Sequence, residues 1–352
     1  MVKPLQRRVV RLCALAIISV LTVAVLSCER RPGEPVSRSE MWLGTVTSVV
    51  IHDSRFPTAV LDRVFERVEE IQWRMTINEP DSEVSLVNAA AGSHPVRVSP
   101  DTFEVIERSL EYARYTNGAF DPTIAPLVKL WDIGSESERV PSESEIQAVL
   151  PLIDYTVVEL NPDNFEVYLP VPGMALDLGG IAKGYAVDEA ARILIDAGIR
   201  YALVDFGGDV YTIGSRPDGN RWRIGIQDPV NTARGRFVGI VEQTDTSIVS
   251  SGDYERYFVE DGVRYHHILD PVTGHPSRSG LVSVTIQAPR AMTSDAVSTG
   301  AFVMGLEAGM ALVESLPDTE GVFVTEDKEV HLSSGLDGSF RLIEAGGFRL
   351  QD

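Results

Sequence analysis

The sequence predicts an α+β fold, a single compact body of mixed sheets and helices. Strand-like segments are interspersed with segments whose apolar residues recur at helical spacing. They lack the regular strand–helix alternation that builds a doubly wound sheet. No repeat recurs at a fixed period, and no clear boundary divides the main body into domains. The 352 residues, 44% hydrophobic and 23% charged, suffice for a substantial core and are ordinary for a soluble globular protein.

Residues 1–27 read as a lipoprotein signal peptide. Lys3, Arg7, Arg8 and Arg11 form a basic region, and Leu12 to Ser27 is uncharged and too short to span a bilayer comfortably. The run ends Val25-Leu26-Ser27-Cys28, similar to a bacterial lipobox, so Cys28 is expected to carry the lipid. An uncleaved anchor followed by a chance cysteine is the alternative. With Cys13 inside the signal, the mature chain keeps no free thiol, which excludes a thiol nucleophile, a thiolate metal site and a disulfide scaffold. Losing the four basic residues takes the net charge from −20 to −24. So acidic a body should be repelled by nucleic acid and by anionic lipid, leaving acyl chains to hold it to the bacterial cell envelope, facing the periplasm. Residues 28–40, polar and broken by Pro32, Gly33 and Pro35, are expected to be a flexible tether, with residues 41–352 as the domain.

Within the domain, Met41 to Ile51 is Thr- and Val-rich and reads as a strand. Thr58 to Met75 places Leu61, Val64, Phe65, Val68 and Ile71 on one helical face. Ser82 to Asn88 is a short turn or helix. Ser99-Pro100-Asp101 gives an N-cap and a first-turn proline to a helix carrying Phe103, Ile106, Leu110 and Ala113 inward. Leu127 to Trp131 is a short helix, Gly134 to Ser144 is acidic and flexible, and Tyr155 to Leu169 is a hairpin around Asn161-Pro162-Asp163. Met174-Ala175-Leu176 starts like a strand and leads through a glycine turn into a helix that stops at Gly198. Tyr201 to Phe206 is a buried strand, and Trp222 to Gln227 alternates with Phe237 to Gln243 as a strand pair. After Ser247, two strands meet at an Asp261-Gly262 turn. Leu281 to Ala288 is a strand, Thr293 to Glu314 one helix, and Val322–Val324, Glu329–Leu332 and Phe340–Ile343 are closing strands.

Three polar clusters could carry chemistry. In the first, Asp177, Gly179, Gly180 and Lys183 sit where a turn feeds a helix N-terminus, whose free N–H groups and dipole suit a phosphate. An ordinary strand–turn–helix corner has the same pattern. In the second, Asp295 and Thr299 share a helix face, and with a nearby carbonyl they make a hard-oxygen set suited to Mg²⁺. Taken alone, the pattern is better explained by plain helix capping by Thr293 or Ser294, with Asp295 favourably placed at the dipole. In the third, His266 and His267 point to opposite sides of a strand, so they do not bind one metal together. Asp121 and Asp253-Tyr254 lie in loops that could reach the same cleft. No P-loop, dinucleotide fingerprint, zincin helix or serine-hydrolase elbow occurs.

Taken together, six stretches resemble the FAD:protein FMN transferases, the ApbE-like flavin transferases. They are Asn117–Thr123, Leu176–Asp188, Gly207-Gly208-Asp209, Ser251–Tyr254, Tyr265–Gly274 and Asp295–Gly300, in family order across nearly the whole mature domain. The resemblance implies an α+β transferase that binds FAD with Mg²⁺ at the pyrophosphate, moves FMN onto a Thr or Ser of a target protein, and releases AMP. It implies Asp295, Thr299 and the carbonyls of Gly180 and Met292 as the Mg²⁺ ligands. Ala119, Phe120, Asp121, Asp177 and Lys183 become FAD contacts, with His266 or His267 at the flavin or phosphate end. Leu43 stands where many members have methionine, and Ile77 where some have an aromatic. Asp295 and His267 are both candidates for the base that takes the acceptor proton. The expected partners are FAD, an acceptor flavoprotein subunit and the lipid bilayer, and no nucleic acid. An FAD pyrophosphatase and a non-catalytic flavin-binding lipoprotein are the alternatives, told apart by product.

Overall fold

The structure is a computed structural model that describes residues 34–53, 58–233, 235–336 and 338–351. The signal peptide and Cys28 lie outside the described residues. In chain order the strands and helices are β1 (Val36–Trp42), β2 (Thr45–Ile51), α1 (Ala59–Met75), α2 (Glu83–Ala89), β3 (Val96–Arg97), α3 (Pro100–Tyr115), α4 (Ala125–Trp131) and α5 (Glu143–Val149). Then come β4 (Glu159–Asn161), β5 (Glu166–Tyr168), α6 (Ala182–Asp196), β6 (Ala202–Phe206), β7 (Asp209–Ile213), β8 (Trp222–Gln227), β9 (Phe237–Gln243), β10 (Ser247–Gly252), β11 (Tyr257–Glu260), β12 (Val263–His266) and β13 (Leu281–Ala288). The chain closes with α7 (Ala291–Met304), α8 (Leu306–Ser315), β14 (Glu320–Thr325), β15 (Glu329–Leu332), β16 (Phe340–Leu342) and β17 (Arg349–Leu350). No described helix is long and apolar enough to cross a membrane.

A nine-stranded sheet in the order β1-β2-β6-β7-β10-β13-β14-β15-β17 forms the spine, antiparallel except for the final β15–β17 pair. Alternation along its strands decides what each face meets. Ala202, Val204 and Phe206 turn toward the helices, joining Val64, Phe65, Val68, Ala186, Val187, Val297 and Phe302 in the main core. The opposite face packs Val210, Ile248, Val322 and Val324 against Ile226, Val238 and Val241 of a smaller sheet ordered β16-β9-β8. Helix α1 buries the predicted stripe of Leu61, Val64, Phe65, Val68 and Ile71. Helix α7 is buried on nearly every side by residues such as Ser294, Ala296, Ser298, Gly300 and Ala301, whose small volumes let it lie between the sheet and α6.

Several elements differ from their expected form. The strand expected over Met41 to Ile51 is the hairpin β1–β2, turned at Leu43 and Gly44 with φ of 54° and 69°. Its first strand begins at Val36, inside the stretch expected as tether, because Val36–Trp42 pairs residue for residue with Ile51–Thr45. Met174-Ala175-Leu176 is not a strand. The Asn88 side chain takes the place of a neighbouring strand, accepting from Leu176 N at 2.6 Å and donating to Leu176 O at 2.9 Å. The single helix expected over Thr293 to Glu314 is two, α7 and α8, because Gly305 between them has φ +82°. The Asp261-Gly262 turn, the Ser99 cap and the stop at Gly198 are as expected.

Candidate active site

The site forms where α6 and α7 meet N-terminus to N-terminus. Neither helix is capped by a side chain of its own N-cap residue; each is capped by the other. Asp188 of α6 accepts from Ala291 N (2.6 Å) and Met292 N (3.2 Å), the first two amides of α7. Asp295 Oδ2 of α7 accepts from Gly184 N (2.9 Å), the third amide of α6. Two orphan sets of helix donors are thus satisfied reciprocally. The crossing is close: a Cβ on Gly184 would stand 2.8 Å from Met292 Cα. Burial raises the Asp188 pKa to about 6, against the pull of the Ala291 amide and Arg290.

The glycine turn before α6 is held from two sides. Asp177 Oδ1 accepts from Gly179 N at 2.7 Å, and Asp177 N donates to Pro122 O at 2.8 Å. Burial raises the Asp177 pKa. Pro122 belongs to the loop that carries Ala119, Phe120 and Asp121. Phe120 is buried with its ring against Gly180, 3.2 Å from where a Cβ would stand, and Ala119 is half-buried beside it. Asp121 is turned inward: its carboxylate accepts from Thr123 N and Thr123 Oγ1, both at 2.7 Å, and from Tyr155 N at 3.3 Å. It ties this loop to itself and to Tyr155.

Thr299 lies one turn after Asp295, and its hydroxyl sits 3.7 Å from the position a Gly180 Cβ would occupy. Ser251 Oγ from β10 meets both Ser298 Oγ (2.8 Å) and Thr299 Oγ1 (3.2 Å) and fixes that face. Met292 is fully buried one turn before Asp295. Lys183, the second residue of α6, ion-pairs with Asp209 at the start of β7. Burial works against the ammonium charge, but Asp209, Asp295 and Glu255 outweigh it and hold Lys183 above the usual lysine range. Burial likewise raises Asp295 and, more strongly, Asp209. Gly180, Lys183, Asp209, Asp295 and Thr299 therefore form one cluster of fixed charges and oxygens.

The two histidines diverge as the strand pattern required. His266 is buried, with Nε2 at 2.9 Å from Ser277 O and its ring edge-on to Phe302. Burial lowers its pKa to about 4. His267 is half-buried beside Arg256, whose carbonyl lies 3.2 Å from its Nδ1. Burial, with the charges of Arg256 and Lys183, lowers its pKa to about 3. Both rings are neutral near pH 7. Asp253 pairs with Arg264 at 3.2 Å and Tyr254 is buried, so neither joins the cluster. Asp188, Ser251 and the partnership of Asp209 with Lys183 were not foreseen as site features; each is a contact across long sequence separation.

Among the described residues no group of three or more His, Cys, Asp or Glu side chains could hold a metal ion. A cation here would rest on one carboxylate, a hydroxyl and main-chain oxygens. That hard all-oxygen set fits Mg²⁺, which keeps waters and takes substrate phosphates as further ligands.

Solved structures with this architecture are flavin transferases. An ApbE protein from Thermotoga maritima superposes with a TM-score of 0.81 at 35% identity, over 88% of this chain and 100% of that one. The flavin transferase ApbE of Vibrio cholerae gives 0.78 at 32% identity, over 87% and 99%. The fold thus places the chain in the class of ApbE flavin transferases. Sequence comparison agrees: the ApbE family profile matches residues 43–323. The FAD:protein FMN transferase of Treponema pallidum is 36% identical over 88% of this chain and 90% of its own length, and that of Klebsiella pneumoniae 37% over 82% and 89%. This chain belongs to the ApbE family.

Proposed function

We propose that this enzyme is an FAD:protein FMN transferase that uses Mg²⁺, moves FMN from FAD onto a Thr or Ser hydroxyl of a target protein, and releases AMP. The observation that carries the reading is the convergence of Gly180, Lys183, Asp295 and Thr299 where the α6 N-terminus meets α7. That arrangement suits a dianionic diphosphate. Lys183 and the positive end of the α6 dipole would hold the pyrophosphate, and Asp295, Thr299 and the Gly180 and Met292 carbonyls would supply the protein ligands for the metal. Bound there, Mg²⁺ would neutralise phosphate oxygens as the leaving AMP takes up charge. Ala119, Phe120 and Asp177 line the approach to that diphosphate, and Asp121 keeps their loop in place.

The acceptor oxygen attacks the flavin-side phosphorus, a new P–O bond forms, and the bond to the AMP phosphate breaks. The hydroxyl proton needs an acceptor. His267 and Asp295 are the two candidates: Nδ1 of the neutral His267 ring faces the Arg256 carbonyl, which leaves the Nε2 lone pair as the acceptor, and burial weakens that nitrogen as a base. Asp295 is already engaged by Gly184 N. Cys28 would tether the body to the envelope through its lipid, with the acceptor an exported or membrane redox subunit.

The test is transfer by the chain beginning at Pro35, given FAD, Mg²⁺ and an acceptor domain, with intact acceptor mass read with and without EDTA. A gain of one FMN that EDTA abolishes is expected. Free FMN and AMP with an unmodified acceptor would instead make the enzyme an FAD pyrophosphatase. Asp295→Ala should abolish the mass gain, and His267→Ala should slow it while FAD binding persists. Cys28→Ala in the full chain should abolish incorporation of labelled palmitate, and incorporation at the parent level would remove the lipid reading.

A further inference from the structure

The turn Gly207-Gly208 and the residue after it have no role in the chemistry above, yet they place the carboxylate that, among the described residues, pairs with Lys183. The turn joins β6 to β7 with φ of 63° and 99°, and Phe206 pairs with Asp209 across it. Asp209 therefore leaves a rigid two-residue hairpin with its direction set by the sheet. Its side chain is 1% exposed. Oδ1 pairs with Lys183, while Oδ2 is buried with no hydrogen-bond partner among the described residues. A carboxylate kept only for structure would be expected to have both oxygens satisfied. Asp295, the other buried acid beside Lys183, spends its hydrogen bond on Gly184 N. The two acids thus divide the work, one fixing the α6 amides and one fixing the α6 lysine.

We propose that Asp209 is a positioning residue for transfer: it holds the Lys183 ammonium at the α6 N-terminus and acts through that lysine. A free lysine has several rotatable bonds and a mobile charge, whereas a lysine paired to a sheet carboxylate presents its remaining N–H donors in one place. This rests on the flavin-transfer reading, because it gives Lys183 the diphosphate as its target.

The test is a double-mutant cycle on the chain from Pro35, with single-turnover transfer followed by acceptor mass and FAD affinity followed by flavin fluorescence. Asp209→Asn and Lys183→Met should each slow transfer by about tenfold or more, the scale of losing one charged group at a reacting phosphate. Asp209→Asn in the Lys183→Met background should slow it no further than about twofold, because residues acting as one unit are not additive. Asp209→Glu should recover part of the rate, and Asp209→Asn should still bind FAD. Multiplying effects in the double variant, or Asp209→Asn at the parent rate, would overturn the proposal. If Asp209→Asn alone does not fold, Asp209→Glu takes its place in the cycle: it should slow transfer in the parent chain and by no more than about twofold in the Lys183→Met background, and equal slowing in both would overturn the proposal. A parent chain that binds FAD but transfers nothing overturns the flavin-transfer reading, and the proposal with it.

Discussion

Asp295 and His266 show how buried ionisable groups serve this site in opposite ways. Asp295 is useful because it is bonded to the Gly184 amide beside Lys183, whereas His266 is useful because it is neutral and packed. Burial takes the His266 pKa from 6.5 to about 4, so the folded chain holds it unprotonated where the unfolded chain takes up a proton. Stability from this residue is complete above 6.5 and drains as pH falls toward 4. His267, lowered to about 3, has the same sign over a wider window. Asp188 opposes them: its pKa is raised from 3.8 to about 6, so between those values the folded state binds the extra proton. His266→Gln should therefore lose less Tm than the parent between pH 7 and pH 5; an equal loss in thermal scans would mean that His266 is charged in the fold. The sequence displayed some of this chemistry directly. Asp295 and Thr299 are four apart on a helix, and Lys183 follows a glycine turn. It could not display the Lys183–Asp209 pair, which is 26 residues apart and exists only because β7 runs beside α6.

At the level of elements, the crossing of α6 and α7 governs the site's precision. Gly184 admits the α7 backbone, so Gly184→Ala should push the helix starts apart and cost roughly 1–3 kcal/mol, the range for overpacking a tight contact. Its Tm should fall, and the Asp295 bond to residue 184 should weaken. An unchanged Tm would show that the crossing is looser than it appears. The same region explains two misread elements. Helical periodicity continues through Gly305, and an isolated glycine inside such a pattern is compatible with one helix; only the positive φ reveals the break. Met174-Ala175-Leu176 has a strand's composition, but its neighbours are one isolated bridge from Ala175 to Ile124 and the Asn88 side chain, which periodicity does not encode.

The described residues are organised by two cores on the two faces of one sheet, with a third, smaller cluster of Leu127, Trp131, Ile146 and Leu269 beside them. Mixed periodicities were enough to indicate α+β, but not the strand order, since β6 inserts beside β2 only after more than a hundred residues of helices and small strands. The second core is closed late in the chain by Phe348, which is 5% exposed against Val322, Val324 and Val330. Phe348→Ala should cost about 3–5 kcal/mol, as for other large aromatic truncations. Urea unfolding should show a lower midpoint at unchanged slope. A shift under about 0.5 kcal/mol would mean that the C-terminal strand merely decorates the fold.

The position of β1 also has a mechanical consequence. It is the outermost strand, joined to the rest through its seven-residue pairing with β2 and through Arg38, which reaches Asp62 and Phe65 of α1, and the chain enters it at Val36. A load applied through the N-terminal segment therefore falls first on that hairpin, which can peel from Val36↔Ile51 toward Trp42↔Thr45 while the α6–α7 crossing stays shut. The edge strand would work as a fuse for a chain held at one end. Force spectroscopy on the chain pulled from residue 35 should record a small early extension, from β1 alone, before the main rupture.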